Sequence, residues 1–342
     1  MNSPKKLAVM ALWRRCFEDS EAFVQWYFER KYRERNALLV RDERGEAMAA
    51  LQLLPYRMTF AGGEIDTMYL SGACTRPEDR KRGVMTRLLR QALREARGRE
   101  VPLVTLIPQE EWLFAYYRRV GFVSVFEHSL EAYEVDPTSG SGEEAETLPL
   151  ERVTTCFPYF AARMGERGCC VQHDAADFVD VAEDLYRDGG RLFSVREGEQ
   201  VRGLAFARPT PEGVWVSEWL YDTEEVRGHL LHRMAAEWEE WRVVARTLPK
   251  AGRSRPSGMA RIVDVPRLLE YYAARNPALC WTVQVTDPLL PQNSGLFRLE
   301  RGMLITGGDA GREMPPAMGV EELTAWLLCQ SSGTPFISLM LE

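Results

Sequence analysis

The stretch that decides the fold is Arg80-Lys81-Arg82-Gly83-Val84-Met85. It follows an apolar segment, residues 68–75, that predicts a strand, and it opens a segment with helical periodicity. The first N–H groups of a helix have no partner within the helix, and the peptide dipoles place roughly half a positive charge there. Gly83 lets the backbone approach a phosphate closely, and three cationic side chains add charge. The stretch therefore predicts a diphosphate site, although a basic turn before a helix is also typical of a solvated surface with no ligand. The apolar positions of the predicted helix are Val84, Leu88, Leu89, Ala92, Leu93 and Ala96.

A second motif further along the chain makes the first one more specific. Residues 105–108 predict another strand, and residues 112–122 predict a short helix that stops at Gly121, because glycine suits the left-handed end of a helix. Arg-x-x-Gly-x-Met followed by Tyr-x-x-x-Gly-Phe resembles the GCN5-related N-acetyltransferase (GNAT) family. Met85 stands where that family has glycine or alanine.

The resemblance implies an acetyl-CoA site. The basic loop would cradle the pyrophosphate, and the strand before it would hold the pantetheine and polarise the thioester carbonyl. Tyr117 would be the general acid that protonates the departing thiolate, with Tyr116 as the alternative. Lys81 also fits a solvent-exposed role. The positions assigned to acetyl-CoA binding are Ala73, Cys74, Thr75, Arg80, Lys81, Arg82, Gly83 and Val84.

Composition and charge argue against a membrane-spanning, secreted or nucleic-acid-binding protein. The chain has 342 residues, 45% of them hydrophobic, and about two or three domains are expected for this length. No apolar run approaches the roughly eighteen residues that span a membrane, and the N-terminus does not have the pattern of a signal peptide. Seven cysteines, odd in number and without C-x-x-C, favour reduced thiols and a cytoplasmic location. The net charge of −7 argues against a nucleic-acid partner.

The first predicted domain comprises residues 1–135. Aromatic residues at helical spacing predict two helices, with the cap of the second within Glu18-Asp19-Ser20. Two hairpins follow, the first around 37–54 and the second around 56–70, with turns at Asp42–Gly45 and Gly62-Gly63. This α-α-β-β-β entry to the basic loop is the order that a GNAT fold requires.

The second predicted domain, residues 136–255, begins with a linker at 136–146 that is rich in glycine, serine and glutamate. Residues 191–205 repeat the rhythm of the first hairpin, and a strand at 214–220 precedes a helix at 224–242. At this junction Tyr221-Asp222-Thr223-Glu224-Glu225 places carboxylates where the first domain has cations. Carboxylates cap a helix and repel a pyrophosphate. This region is therefore interpreted as a degenerate GNAT-like lobe that binds no CoA.

The third predicted domain, residues 256–342, carries a second resemblance. Met259-Ala260-Arg261-Ile262-Val263-Asp264-Val265 before a leucine-containing helix, then Asp287 and Asn293-Ser294-Gly295, is similar to the sterol-carrier-like domain of enhanced intracellular survival (Eis) proteins. Together with Trp13–Ser20 at the N-terminus, this extends the resemblance to Eis-like acetyltransferases over nearly the whole chain. A helix is expected at 319–329, and the apolar tail 335–341 is expected to be a strand.

The expected fold class is α+β or α/β, with two GNAT-like lobes of mixed, mostly antiparallel sheets flanked by helices and a sterol-carrier-like α/β domain. The expected activity is acetyl-CoA-dependent N-acetyl transfer to a primary amine, either a small polycationic molecule or a lysine side chain. The resemblance further implies that the α-carboxylate of Glu342 acts as the base and that the protein can form a homo-oligomer. No nucleic-acid or membrane partner is expected.

Several alternatives remain at the level of the sequence. A protein that keeps the fold but only binds or senses an acyl-CoA or a hydrophobic ligand is the competing class, and a structural scaffold, which leaves the basic loop unexplained, ranks last. Glu110 and Glu111 are candidates for recognition of a cationic amine, or simply exposed glutamates at a helix start. His229 and His232 lack an evident third ligand, so no metal is expected.

Overall fold

The structure is a computed structural model that describes residues 3–136, 138, 144–307, 315–330 and 333–341. The helices are α1 Pro4–Cys16, α2 Glu21–Arg30, α3 Val84–Gly98, α4 Glu111–Arg118, α5 Phe157–Gly165, α6 Ala175–Arg187, α7 Glu224–Trp238, α8 Val265–Arg275 and α9 Val320–Gln330. The strands are β1 Ala37–Arg41, β2 Ala47–Phe60, β3 Gly63–Thr75, β4 Leu103–Leu106, β5 Val123–Glu134, β6 Ala145–Thr147, β7 Val171–Gln172, β8 Arg191–Glu197, β9 Gln200–Thr210, β10 Gly213–Tyr221, β11 Arg242–Thr247, β12 Arg255–Ile262, β13 Trp281–Thr286, β14 Gly295–Glu300, β15 Met303–Thr306 and β16 Ala317–Gly319.

The chain forms two compact units. Unit 1 contains the described residues of 1–125 and 258–332, and unit 2 contains those of 126–257 and 333–341. Each unit is discontinuous in sequence, because each takes a segment from the last part of the chain. The division into domains at residues 135 and 255 stays a prediction.

Unit 1 is built on a mixed sheet. β1, β2 and β3 form an antiparallel meander, β4 pairs parallel to β3, and β12 pairs antiparallel to β4. The two predicted hairpins share one long strand, since β2 continues through Pro55, which lies opposite Met68 of β3. The predicted α-α-β-β-β order is confirmed. Ser20 caps α2 as expected, its side chain accepting a hydrogen bond from the Phe23 N–H.

Helix α3 covers this sheet and joins its core. All six apolar positions predicted from periodicity are buried, and they pack with side chains of β2, β3 and β4. Burying a leucine-sized side chain stabilises the fold by roughly 1.5–3 kcal/mol. This face therefore holds the N-terminus of α3 at a fixed position beside the end of β3.

Unit 1 also contains a small sheet with the order β15-β14-β13-β16. A fully buried ion pair lies at its base, where Arg261 Nη2 donates to Asp287 Oδ1 at 2.8 Å. The same aspartate accepts the backbone N–H groups of Leu289 and Leu290 and the amide of Asn293. Both charges of the pair thus have hydrogen-bond partners, as burial requires.

Unit 2 repeats the order of elements of unit 1. β6, β8, β9 and β10 pair antiparallel, α7 follows β10, β11 pairs parallel to β10, and β5 pairs antiparallel to β11. The predicted hairpin at 191–205 is confirmed by β8 and β9. Helices α5 and α6 were not predicted; they pack Phe160 and Phe178 against Phe206 of β9.

The predicted linker and tail differ from expectation. Residues 137 and 139–143 lie outside the described residues, but Ala145–Thr147 is a strand paired with β8, so the linker is shorter than predicted. The tail is not a strand: within 335–341 its backbone pairing is limited to one bridge between Phe336 and Cys170. In the described part of the chain, no helix combines the length and the apolar character needed to cross a membrane.

Candidate active site

The end of β3 carries a β-bulge. Gln52 of β2 lies opposite Ser71 and Ala50 lies opposite Cys74, so one residue of β2 faces two residues of β3, Gly72 and Ala73. Gly72 has a φ of 59°, and a Cβ at this position would lie 2.3 Å from the Trp13 ring. A bulge ends regular pairing and redirects the backbone. Here it turns the last residues of β3 toward a cavity.

The loop after β3 ends in a left-handed turn. Lys81 and Gly83 have φ of 63° and 73°, and Gly83 is the N-cap residue of α3. None of the described side chains caps this helix, so its first N–H groups face the open side of the loop. No described atom outside its chain neighbours lies within 4 Å of a Cβ built on Gly83. The loop has the geometry of an anion-binding turn.

The cations of the loop have two different roles. Asp79 is buried and accepts Arg76 Nε at 2.6 Å and Arg82 Nη1 at 2.7 Å, so it fixes both side chains, and Arg76 also pairs with Asp42. Arg80 donates its Nε to the carbonyl of Thr75 at 3.2 Å. Within the described residues, neither Arg80 nor Lys81 forms a salt bridge, which leaves their charges available to a ligand.

One cavity of about 710 Å³ joins these features within unit 1. Tyr117 and seven of the eight residues predicted to bind acetyl-CoA line it: Ala73, Cys74, Thr75, Arg80, Lys81, Gly83 and Val84. Arg82, the eighth, is directed to Asp79 instead. Glu342 lies outside the described residues. The size is within the range of ligand pockets, roughly 300–1,000 Å³.

Helix α4 supplies the opposite wall. Tyr117 is buried, with its ring edge-on to Phe122, whereas Tyr116 is half-buried and its hydroxyl lies 3.2 Å from Thr86 Oγ1 of α3. Trp112 is 59% exposed and donates its Nε1 to Glu110 Oε2 at 2.6 Å. Both tyrosines, Trp112 and Glu110 line the cavity, so its wall carries aromatic and acidic groups as well as the basic loop.

The C-terminal end of α4 is fixed by the buried pair described above. Arg261 Nε donates to the Val120 carbonyl at 2.6 Å. Gly121 has a φ of 84°, and a Cβ there would lie 2.6 Å from the same Nε. The glycine of the Tyr-x-x-x-Gly motif is therefore required by both backbone conformation and contact, and together they set the position of Tyr117.

Sequence reasoning missed several residues of the site. Cys16, Thr86 and Trp112 line the cavity, and Asp79 holds the loop. Asp79 carries a local signal, since an aspartate flanked by arginines at three-residue spacing predicts ion pairs. Cys16 carries no local signal, because it reaches Cys74 across 58 positions of sequence only through the fold.

The corresponding place in unit 2 is filled. β10 and β11 are paired only over Val214–Val216 and Val243–Ala245. Beyond that stretch Glu218 of β10 accepts Ser338 Oγ at 2.6 Å, and Arg246 of β11 donates to the Ile337 carbonyl at 2.7 Å. The tail of the chain thus lies where these two strands stop pairing.

A buried ion pair holds this arrangement. Arg167 donates two hydrogen bonds of 3.0 Å to Glu218, and the Ser338 carbonyl lies 3.0 Å from His173 Nε2. Burial raises the pKa of Glu218, but the charge of Arg167 and the hydrogen bonds from Arg167 and Ser338 outweigh it, so the pKa is lowered overall. Glu218 is therefore held as a carboxylate.

The histidines considered as a metal pair have other partners. His229 Nδ1 lies 2.8 Å from Glu144 Oε2, and His232 Nδ1 lies 2.8 Å from the Gly228 carbonyl of its own helix. In the part of the chain that the structure describes, no group of three or more histidine, cysteine, aspartate or glutamate side chains has the arrangement of a metal site.

Comparison with known proteins agrees with this geometry. A family model described as an acetyltransferase (GNAT) domain matches residues 3–125. These residues have the fold of a GNAT acetyltransferase domain. The matched segment includes both sequence motifs, the bulge of β3 and all the cavity-lining residues named above. No curated protein matches the sequence significantly.

Solved structures are similar over nearly the whole chain. A GCN5-related N-acetyltransferase from Anabaena variabilis ATCC 29413 has a TM-score of 0.74 at 16% identity, with 98% of this chain and 97% of that chain covered. One from Kribbella flavida has a TM-score of 0.75 at 16% identity, covering 100% and 97%. Eis1 from Mycobacterium abscessus has a TM-score of 0.71 at 15% identity, covering 96% and 88%. At these identities the likeness shows a shared fold. The sterol-carrier-like domain stays a prediction.

Proposed function

We propose that this protein transfers the acetyl group of acetyl-CoA to a primary amine. The observation that carries the proposal is one cavity bordered by a β-bulge, a left-handed basic turn at a helix N-terminus, and a buried tyrosine. The bulge suits an extended amide-containing chain, the basic turn suits a diphosphate, and the tyrosine suits a leaving thiolate.

The proposed roles of the residues follow from their positions. Arg80, Lys81 and the N–H groups at Gly83 and Val84 bind the pyrophosphate, and Ala73–Thr75 bind the pantetheine. Asp79 neutralises Arg82, so Arg82 contributes to the shape of the loop more than to its free charge. Because the Cβ position at Gly83 faces open space, the backbone there is accessible to a phosphate.

The chemistry requires two proton transfers. A protonated amine must lose a proton before it attacks the thioester carbonyl, and the departing thiolate must gain one. In the proposal Tyr117 donates to the thiolate, and the α-carboxylate of Glu342, as the Eis-like resemblance implies, accepts from the amine. Each such transfer contributes typically 10²–10⁴-fold to the rate, and holding the two substrates in place contributes much of the rest.

The acceptor is proposed to be cationic, a small polycationic molecule or a lysine side chain. Glu110 supports this, because its carboxylate lies on the cavity wall beside exposed Trp112. An acidic and an aromatic group together attract an ammonium ion. A cytoplasmic location, a homo-oligomeric state and a sterol-carrier-like domain at 256–342 belong to the same proposal.

Calorimetric titration with acetyl-CoA tests whether the protein binds this co-substrate at the basic loop. Wild-type protein should bind saturably at one site per chain, and Gly83→Asp should weaken binding about tenfold or more, because a carboxylate at the helix N-terminus repels a pyrophosphate. Gly45→Asp is the matched control: Gly45 also has a positive φ and open space at Cβ but lies in the β1–β2 turn. No binding by wild-type protein would overturn the proposal. Binding without turnover over a wide amine panel would favour the acyl-CoA sensor.

Two phenylalanine variants separate the tyrosines. Tyr117→Phe should lower kcat by about 10²–10⁴-fold with little change in acetyl-CoA affinity, whereas Tyr116→Phe should have a small effect. The reverse result would assign the general acid to Tyr116, whose hydroxyl is near Thr86.

A further inference from the structure

Two cysteines meet in the wall of the cavity. Cys16 is the last residue of α1 and Cys74 lies in β3 just after the bulge, and both line the cavity. Cys74 is 4% exposed and Cys16 is half-buried. Cys16 Sγ donates to the carbonyl of Thr75, the residue after Cys74, at 3.4 Å, and the Cys74 thiol is close enough to act on Cys16 as a hydrogen-bond partner. The fold thus brings together two thiols from distant parts of the sequence.

The surroundings shift the pKa values of the two thiols in opposite directions. The hydrogen bond from Cys74 lowers the pKa of Cys16 to about 7, with help from Arg80 and Arg15 and against the effect of burial. The same bond and burial raise the pKa of Cys74 well above its usual range. Of the charged groups nearby, Arg80 lies in the basic loop, and Arg15 is paired with Glu78 at 2.6 Å. Of the two thiols, Cys16 is therefore the one that ionises first.

We propose that Cys16 is a thiol-modification site in the cavity wall and that Cys74 is its second thiol. The reactants it takes are peroxides and soft electrophiles. A thiolate is the reactive form of cysteine, and a neighbouring thiol that can follow it is the arrangement of a redox-sensitive pair.

The oxidation step balances with hydrogen peroxide as the oxidant. The Cys16 thiolate attacks one oxygen, the O–O bond breaks, and hydroxide leaves, which gives a sulfenic acid on Cys16. The Cys74 thiol loses its proton and attacks the Cys16 sulfur, the S–S bond forms, the S–O bond breaks, and the second hydroxide leaves with that proton as water. In total two thiols and one peroxide give one disulfide and two waters.

Alkylation kinetics test the reactivity of Cys16. Wild-type protein is treated with iodoacetamide at pH 7 and the cysteine peptides are quantified by mass spectrometry. Cys16 should react roughly fivefold to tenfold faster than the exposed Cys280, because a thiol of pKa near 7 is about half ionised at pH 7 and the thiolate is the nucleophile. Buried Cys156 should stay unmodified. A Cys16 rate no higher than that of Cys280 would overturn the proposal.

Peroxide treatment tests the role of Cys74. Non-reducing digestion of wild-type protein should give a peptide pair linked between Cys16 and Cys74, and Cys74→Ser should instead leave a sulfenic acid on Cys16 that dimedone traps. Unmodified Cys16 beside an oxidised Cys280 would overturn the site. A trapped sulfenic acid on Cys16 in wild-type protein, without the linked pair, would overturn the assignment of Cys74.

A third measurement places the site next to the ligand, and it alone rests on the proposed function. Saturating CoA should slow alkylation of Cys16 at least several-fold and leave Cys280 unchanged, because the pantetheine would lie against Thr75. If calorimetry shows CoA binding but Cys16 is not protected, the placement beside the ligand is wrong. If CoA does not bind at all, the proposed function fails while the first two experiments still decide the thiol site.

Discussion

The two junctions between a bulged strand and a helix have the same backbone order and opposite chemistry. In unit 1, β3 leads through a left-handed Gly83 into α3, whose N-terminus has no cap among the described side chains. In unit 2, β10 leads to Thr223, whose hydroxyl accepts the Val226 N–H of α7, and Glu224 and Glu225 occupy the first turn. An open N-terminus attracts an anion, whereas a capped and acidic one has its donors already satisfied.

The space beside the bulged strand is open in unit 1 and filled in unit 2. The residue after the bulge is Cys74 in unit 1, which borders an open cavity, and Glu218 in unit 2, which is sealed by Arg167 and Ser338. The same order of strands and helices therefore does not by itself make a ligand site. The side chains at the junction decide whether a ligand or the chain itself occupies it.

The largest effect is expected from breaking the seal of unit 2. Glu218→Ala leaves the Arg167 guanidinium buried without its counter-ion, which should lower the free energy of unfolding by about 3–5 kcal/mol. Urea unfolding of the variant and of wild-type protein measures the change. Glu197→Ala is the control, because it removes an exposed partner of Arg202 and should cost about 1 kcal/mol or less. Equal costs for the two variants would mean that the buried pair is dispensable.

Breaking the bulge of unit 1 comes next. In Gly72→Ala the new methyl group meets the Trp13 ring, so overpacking should cost about 1–3 kcal/mol, in addition to roughly 1–2 kcal/mol for a left-handed alanine. Gly62 also has a positive φ, but its Cβ position faces open space. Gly62→Ala therefore measures the cost of a left-handed alanine without the overpacking. Thermal unfolding of both variants gives the difference. If the two variants unfold alike, Trp13 moves aside without cost.

Removing the cap of unit 2 sharpens the contrast between the helix N-termini. Thr223→Ala should lower stability by about 1 kcal/mol through loss of the Val226 N–H partner. Ser20→Ala, which removes the same kind of cap from α2, is the reference. Calorimetry on Thr223→Ala should still find a single acetyl-CoA site, because Glu224 and Glu225 remain. A second site in this variant would show that the cap alone closes unit 2.

The last expected effect concerns acid sensitivity. All four histidines belong to unit 2, and burial together with the charges of Arg246 and Arg255 lowers the pKa of His128 to about 4. The unfolded chain, with a histidine pKa near 6.5, then binds more protons between pH 6.5 and 4, so stability falls as the pH falls through that range. His128→Gln should reduce the drop in Tm between pH 7 and pH 5. An unchanged drop in His128→Gln would contradict the assignment.

Local signals were sufficient for the part of the fold that builds the candidate site. The periodicity of α3, the glycine stop after α4 and the Ser20 cap are encoded within a few residues, and each is confirmed. At 222–225 the sequence predicted a cap made by carboxylates, but the cap is the Thr223 hydroxyl, and Glu224 and Glu225 lie in the first turn. These features depend on backbone hydrogen bonds and short-range periodicity, which a sequence shows directly.

The features that could not be predicted from the sequence depend on contacts between distant segments of the chain. The apolar tail suggested a strand, but side chains of Glu218 and Arg246 hold it instead of a ladder partner. Arg82 looked like a phosphate ligand, and its partner is Asp79, which is buried only because the loop folds over it. The pairing of Cys16 with Cys74 and the contact between Gly72 and Trp13 exist only once α1 packs on β3.

The position of Ser338 in the sequence has a consequence for folding during synthesis of the protein. Ser338 follows Glu218 by 120 residues, and its hydroxyl completes the hydrogen bonding of that carboxylate. At about 5–20 residues per second, a ribosome needs on the order of ten seconds to make the intervening chain. Glu218 therefore gains its hydrogen bond from Ser338 only after residue 338 has been synthesised, well after the strand that carries the carboxylate.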